Sequence, residues 1–272
     1  MEYSANPISF IRTLIHHRQL IWQMTKREVV GRYRGSFLGL FWSFFNPVFM
    51  LIIYTFVFSV IFKAKWGVSH SDSRTEFAII LFAGLLVFNM FAEVLNRSPN
   101  LILENVNYVK KVIFPLEILP VVAIGSALFH AFISLLVLLT FNGLVNHAIS
   151  ETITLFPLVI LPLLVLVLGI SWILASLGVF LRDVGQTITI LTTALMFLSP
   201  IFFPPSAIPE DIRGYLAYNP LTLIIEQVRQ VAIWSGFPAW YDLGVYLIFS
   251  LAVCWVGLFW FQKTRKGFAD VL

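Results

Sequence analysis

Apolar residues gather in six long runs separated by polar stretches. Residues 37–62 hold no charge over 26 positions, and 77–92 run apolar for 16 before Glu93, Arg97 and Pro99 interrupt. Residues 118–141 are uncharged apart from the titratable His130, and 153–181 extend over 29 positions with Pro157 and Pro162 inside. Residues 184–203 and 243–261 complete the set. A bilayer core about 30 Å thick is crossed by roughly 20 apolar residues in a helix. The pattern therefore predicts an all-α membrane protein with six transmembrane helices, the fourth long enough to tilt or kink.

Three segments outside these runs have patterns of their own. In residues 8–30, Ile8, Phe10, Ile11, Leu14, Ile15, Ile21 and Trp22 fall on one half of a helical wheel. Arg12, Thr13, His16, His17 and Gln19 fall on the other, which predicts an amphipathic helix at the membrane surface or an ordinary packed one. Residues 100–115 form a short amphipathic stretch stopped by Pro115, either a plain loop or a knob for a soluble partner. Residues 204–240 are too apolar for a solvated loop and too broken by proline to span. They are expected to form a re-entrant hairpin before the last span. A seventh span there would carry Glu226 and Arg229 inside it and reverse the C-terminus.

Composition agrees: 59% of residues are hydrophobic and 12% charged, whereas a soluble domain is near a quarter charged. Of 18 basic residues, 13 lie in segments on the N-terminal side of the membrane, among them Arg12, Arg18, Lys26, Arg27, Arg32, Arg34, Lys110, Lys111 and Arg182. The other five, Lys63, Lys65, Arg74, Arg213 and Arg229, lie opposite, which predicts both termini in the cytoplasm. No apolar segment of signal-peptide type follows Met1, so the first span is expected to direct insertion. No linker divides the chain, which reads as a cytoplasmic interfacial segment 1–36, one membrane domain 37–262 and a cytoplasmic tail 263–272.

Candidate chemistry is sparse. The patterns G-x-x-x-x-G-K-[ST], G-x-G-x-x-G, H-E-x-x-H and G-x-S-x-G are all missing, so no nucleotide, dinucleotide, zinc or acyl-transfer site is expected. The single cysteine, Cys254, reads as a packing residue. His130, beside Gly125, Ser126 and Ala127, reads as an interhelical hydrogen-bonding group before it reads as a proton relay. Glu93 and Arg97, four apart, are placed to pair on one helix face. So few intramembrane charges argue against an ion-coupled carrier and against an enzyme working through paired carboxylates. Arg32 and Arg34 either snorkel to headgroups or hold an anionic phosphate. The first span is dense in aromatics, which either face lipid and pack or line a path over which sugars slide.

Several segments together resemble a known family. They are Arg32-Tyr33-Arg34-Gly35-Ser36-Phe37-Leu38-Gly39 with Trp42 and Asn46-Pro47, and Lys111-Val112-Ile113-Phe114-Pro115-Leu116-Glu117-Ile118-Leu119-Pro120. Leu181-Arg182-Asp183-Val184, Ser199-Pro200-Ile201-Phe202-Phe203-Pro204 and Asn219-Pro220 follow in order. This pattern resembles the permease subunits of type-2 ABC exporters, in the O-antigen, capsule and teichoic-acid branch. The resemblance implies the type-2 permease fold in a homodimer, in the bacterial inner membrane, with two copies of a separate cytoplasmic ATPase. ATP and magnesium would sit on that ATPase, so this chain is expected to be no enzyme and to hold no cofactor, metal or nucleic acid. The substrate implied is a polysaccharide on undecaprenyl diphosphate.

The resemblance also gives residues roles. It implies a coupling helix at 100–115 with Glu104, Tyr108, Lys110 and Lys111 facing the ATPase, and a diphosphate site at Arg32 and Arg34. It implies a periplasmic gate at 204–240 with Tyr215, Tyr218, Asn219 and Pro220. Trp42, Phe45, Phe49, Tyr54 and Phe88 are the candidates for an aromatic glycan channel. A drug or lipid exporter would share the architecture, a membrane glycosyltransferase would need clustered carboxylates, and a scramblase would need no ATPase.

Overall fold

The computed structural model describes residues 7–61, 74–110, 114–147 and 150–272, and every regular element among them is helical. Helices α1 (Pro7–His16) and α2 (Arg18–Arg32) follow one another with backbone bonding carried across the junction. His17 N–H donates to the Thr13 carbonyl and Ile21 N–H to that of His17, each at 2.9 Å. Then come α3 (Trp42–Tyr54), continued by a π-helical stretch Thr55–Ile61, and α4 (Arg74–Arg97). The short α5 (Val106–Val109) precedes α6 (Leu119–Asn146), α7 (Phe156–Phe180) and α8 (Val184–Leu198). The short α9 (Glu210–Arg213), α10 (Thr222–Ala232), α11 (Trp240–Thr264) and α12 (Phe268–Val271) complete the chain.

Five helical stretches among the described residues are long and apolar enough to cross a membrane: Gly39–Phe58, Thr75–Asn100, Leu116–Asn146, Glu151–Phe180 and Trp240–Val271. The predicted run 184–203 forms only the 15-residue α8, which spans about 22 Å at 1.5 Å per residue. It stops where Ser199 turns to extended backbone and the Asn219 amide donates to the Leu198 carbonyl at 3.2 Å. The second stretch is longer than its apolar run: helix continues past Ala92 through Glu93 to Arg97, which keeps the two charges on one helix. Both charges have partners on other helices, so carrying them into the bundle leaves no ion bare.

α4 is the central helix. Its apolar window is 89% buried, while that of the first span is 11% buried. α7 and α11 lie backbone to backbone, because glycines stand at their contact. A Cβ on Gly257 would sit 2.2 Å from the Gly169 carbonyl oxygen, and one on Gly169 would sit 2.6 Å from Cys254 Cα. Close approach at small residues holds helices together where lipid is as apolar as the side chains.

The amphipathic N-terminal pattern resolves into two apolar faces. Phe10 meets the fully buried Trp172 of α7 edge-on, with ring centroids 4.8 Å apart, and Met24 is buried, whereas Ile11, Ile15 and Trp22 are exposed. The C-terminal residues are packed too. Phe268 is buried against Phe261 and Phe180, so 263–272 does not hang free of the bundle.

Candidate functional site

Polar side chains collect at two ends of the bundle. At the end that carries α2, Glu93 of α4 is the hub. Arg32 Nη1 approaches Glu93 Oε1 at 2.9 Å, and His130 Nδ1 of α6 lies 3.0 Å from both carboxylate oxygens. Tyr33 Oη lies 3.2 Å from His130 Nε2. Arg32 Nη1 also lies 3.1 Å from His130 Nδ1, so Arg32, Glu93, His130 and Tyr33 form one continuous polar cluster. Burial raises the Tyr33 hydroxyl above its usual range, which keeps its proton available within that cluster. Arg97 lies 4.0 Å from Glu93 but pairs more closely with Glu28 of α2, so the expected intrahelical pair is secondary. The network thus ties α2 to α4 and α6.

Arg32 is therefore occupied by Glu93, while Arg34, two residues on, is exposed with no polar partner among the described residues. Glu93→Gln keeps the shape and removes the charge shared by Arg32, Arg97 and His130. Hydrogen bonds to charged groups contribute about 1.5–3 kcal/mol. The melting temperature in detergent, followed by tryptophan fluorescence, should fall by several degrees in Glu93→Gln and stay put in Arg34→Gln.

Next to this cluster lies the segment joining α4 to α6, pinned from three sides. The Ser98 and Ser171 hydroxyls are 2.7 Å apart, which fixes its start on α7. Arg27 of α2 donates to the Tyr108 hydroxyl at 3.1 Å, and Tyr108 stacks on Phe114 with centroids 4.3 Å apart and planes 9° apart. Arg265, just past α11, donates to Glu117 Oε2 and to the Phe114 carbonyl, each at 2.6 Å. Leu101 and Ile102 are buried beneath, while Glu104 and Lys110 are exposed. Glu104 also lines a recess of about 220 Å³ against Arg27, Glu28 and Arg97. Lys111 lies outside the described residues. The Glu117–Arg265 pair had no signal in the sequence beyond two opposite charges 148 residues apart.

At the other end, Arg229 of α10 is fully buried. Its Nε–H donates to the Ile80 carbonyl of α4 at 3.1 Å, Nη2 to the Ile201 carbonyl at 3.2 Å, and Nη1 to Glu226 Oε1 at 2.6 Å. Asn219 is a second tie: its amide donates to Ser199 Oγ at 2.9 Å, and its Oδ1 accepts from Leu221 N–H at 2.9 Å. The Tyr246 hydroxyl of α11 donates to the Pro220 carbonyl at 2.8 Å. Asn219 and Pro220 are thus anchoring residues, whereas Tyr215 and Tyr218 are exposed, the latter at 85%.

The aromatic candidates divide as well. Trp42 and Phe49 are exposed on α3 and Phe45 is half-buried, its ring 6.1 Å from that of Phe49. Tyr54 is half-buried against Phe58, 6.5 Å away. Phe88 is only 6% exposed, in the packed core of α4, and does not join the others on the surface of the chain.

Apolar helices around a buried α4, polar hubs at either end and a pinned loop exposing charge define a multi-pass helical membrane domain. The chain belongs to the ABC-2 type transporter family, which matches residues 19–233. It is 27% identical over 265 residues to the O-antigen export system permease protein RfbA of Myxococcus xanthus, covering 97% of this chain and 99% of that one. It is 23% identical to RfbA of Klebsiella pneumoniae, over 93% of this chain and 95% of that one. It is also 25% identical to the polysialic acid transport protein KpsM of Escherichia coli, over 89% of this chain and 92% of that one.

Proposed function

We propose that this chain is the channel-forming permease subunit of an ABC exporter that moves a polysaccharide, carried on undecaprenyl diphosphate, out across the bacterial inner membrane. The observation that carries the reading is the end-to-end likeness to polysaccharide export permeases, with O-antigen exporters at 27% identity over 97% of the chain. A capsular polysaccharide is the second reading, favoured by the likeness to the polysialic acid transport protein. In this proposal α8 is a short sixth crossing, 204–240 folds back into the outer leaflet as a gate, and both termini are cytoplasmic. Two copies enclose the path, and the aromatics of α3, the exposed Trp42 and Phe49 with the half-buried Phe45 and Tyr54, are its candidate lining. Phe88, being buried, would reach that path only after a rearrangement of α4.

Energy would come from two copies of a separate cytoplasmic ATPase carrying ATP and magnesium. The exposed side chains of Glu104 and Lys110, with Lys111 and the stacked Tyr108, are the surface offered to it. The diphosphate is drawn to Arg34 first, because Arg32 is already neutralised by Glu93. The test is reconstitution with the co-purified ATPase. The chain alone should be silent, the complex should hydrolyse ATP, and the double change Lys110→Glu, Lys111→Glu should cut assembly or turnover about tenfold. Glycolipid crossing at an undiminished rate with no ATPase present would replace this reading with a scramblase.

A further inference from the structure

Between residues 3 and 27 the sequence has no Asp or Glu, while Arg12, Arg18, Lys26 and Arg27 all lie there. Arg27 is engaged with Tyr108, and Phe10 and Met24 turn toward the protein. What the helix pair leaves uncovered is a mixed face. Ile11, Ile15 and Trp22 are 56%, 60% and 69% exposed, and spacings of four and seven residues put them in one stripe. Around Ile15, at the α1–α2 junction, the surface sinks into a recess of about 350 Å³ lined by Arg12, Ile15, His16, Arg18 and Gln19. The Arg18 guanidinium is folded toward it, Nη1 donating to the Ile15 carbonyl at 3.4 Å. Arg12 has no acidic partner among the described residues.

We propose that this recess binds the phosphate of an anionic phospholipid of the phosphatidylglycerol class, with an acyl chain along Ile11, Ile15 and Trp22. Two guanidiniums with no carboxylate nearby select an anion, and each can hold two phosphate oxygens. The isoleucine in the recess and the tryptophan beyond it select an amphiphile over free phosphate, since an apolar stripe beside basic groups matches a headgroup boundary. The lipid braces α1–α2, and α2 in turn holds Tyr108 through Arg27 and Arg97 through Glu28. Anionic lipid is thus linked to the position of the proposed coupling segment. The inference rests on the placement of residues 7–32 at the inner membrane surface, which belongs to the reading above.

The experiment titrates phosphatidylglycerol into the purified full-length chain held in phosphatidylcholine nanodiscs, read by native mass spectrometry. Saturable binding is expected, weakened tenfold or more in Arg12→Gln, Arg18→Gln and weakened less in Ile15→Gln. Added inorganic phosphate should not compete. Both arginines are exposed, so the double variant should melt with the native chain, and Ile15→Gln reports on the same recess if it does not. Equal phosphatidylglycerol binding by native and variant chains overturns the proposal, as does equal binding of phosphatidylcholine or competition by phosphate. A disulfide-linked dimer formed by Ile15→Cys in a Cys254→Ala background also overturns it, by assigning the stripe to a second copy. Placement is read separately by thiol labelling of Gln23→Cys in the same background. Labelling only from the outer side rejects the topology and leaves the lipid-binding result standing by itself.

Discussion

Arg229→Leu is expected to abolish transport and to lower the melting temperature by about 10 °C, the shift that follows from losing the charge-assisted hydrogen bonds of a buried guanidinium, about 1.5–3 kcal/mol each. The leucine would fill the space of the aliphatic stem. It would leave the Ile80 and Ile201 carbonyls and the Glu226 carboxylate without the donors that Arg229 now supplies. Arg229 joins three pieces at once: α4, the turn at Ile201 that leaves α8, and α10 itself. Room for the guanidinium exists because residue 84 is glycine, where a Cβ would meet Arg229 Nη2 at 2.9 Å. A planar fork reaches three acceptors in different directions, whereas a lysine ammonium at the end of a flexible stem does not. Arg229→Lys should therefore recover only part of the melting temperature. Glu226→Gln, which changes a partly exposed partner, should be milder than either. A melting curve and a transport rate for Arg229→Leu matching the native protein would show that the hub is incidental.

The same two hubs mark where the sequence stops being informative. Apolar runs determine where helices form, because a long uncharged stretch has few other ways to satisfy its backbone in lipid. That logic found the helices around His130, Pro162 and Cys254. It placed Glu93 and Arg97 on one helix but missed the residues far along the chain that neutralise them. Arg32 reaches Glu93 from α2 and His130 reaches it across 37 positions, and nothing in a single sequence pairs them. It also ran α8 too long, since the tie from Asn219 to Leu198 spans 21 positions. The first segment shows the limit of a helical wheel. The wheel separated apolar from polar, but it could not separate Phe10, which meets Trp172, from Ile11 and Ile15, which face outward. Phe45 and Phe88 differ in the same way, since a ring in the core and a ring near a surface are written with the same letter.

The other large effect belongs to Gly178, near the end of α7, where the structure leaves no space at all. A Cβ there would stand 2.0 Å from the Pro99 carbonyl oxygen, 2.7 Å from its carbon and 2.8 Å from its Cα. All three are backbone atoms, so no side-chain rotation relieves the clash, and the turn Ser98–Asn100 must move off α7. Moving it would part Ser98 from Ser171 and lift Leu101 and Ile102 from the core. Gly178→Ala is expected to cost about 1–3 kcal/mol, the usual penalty for overpacking, and Gly178→Val more. Because the displaced turn opens the segment proposed to meet the ATPase, transport should fall further than stability does, with hydrolysis in the complex uncoupled from export. Gly244→Ala, in α11, is the matched control, since nothing lies within 4 Å of its Cβ position. It should leave melting temperature, hydrolysis and export unchanged, so that a difference between the two alanines reads the contact with Pro99. If Gly178→Ala melts and exports like the native protein, α7 and the turn are not packed this closely.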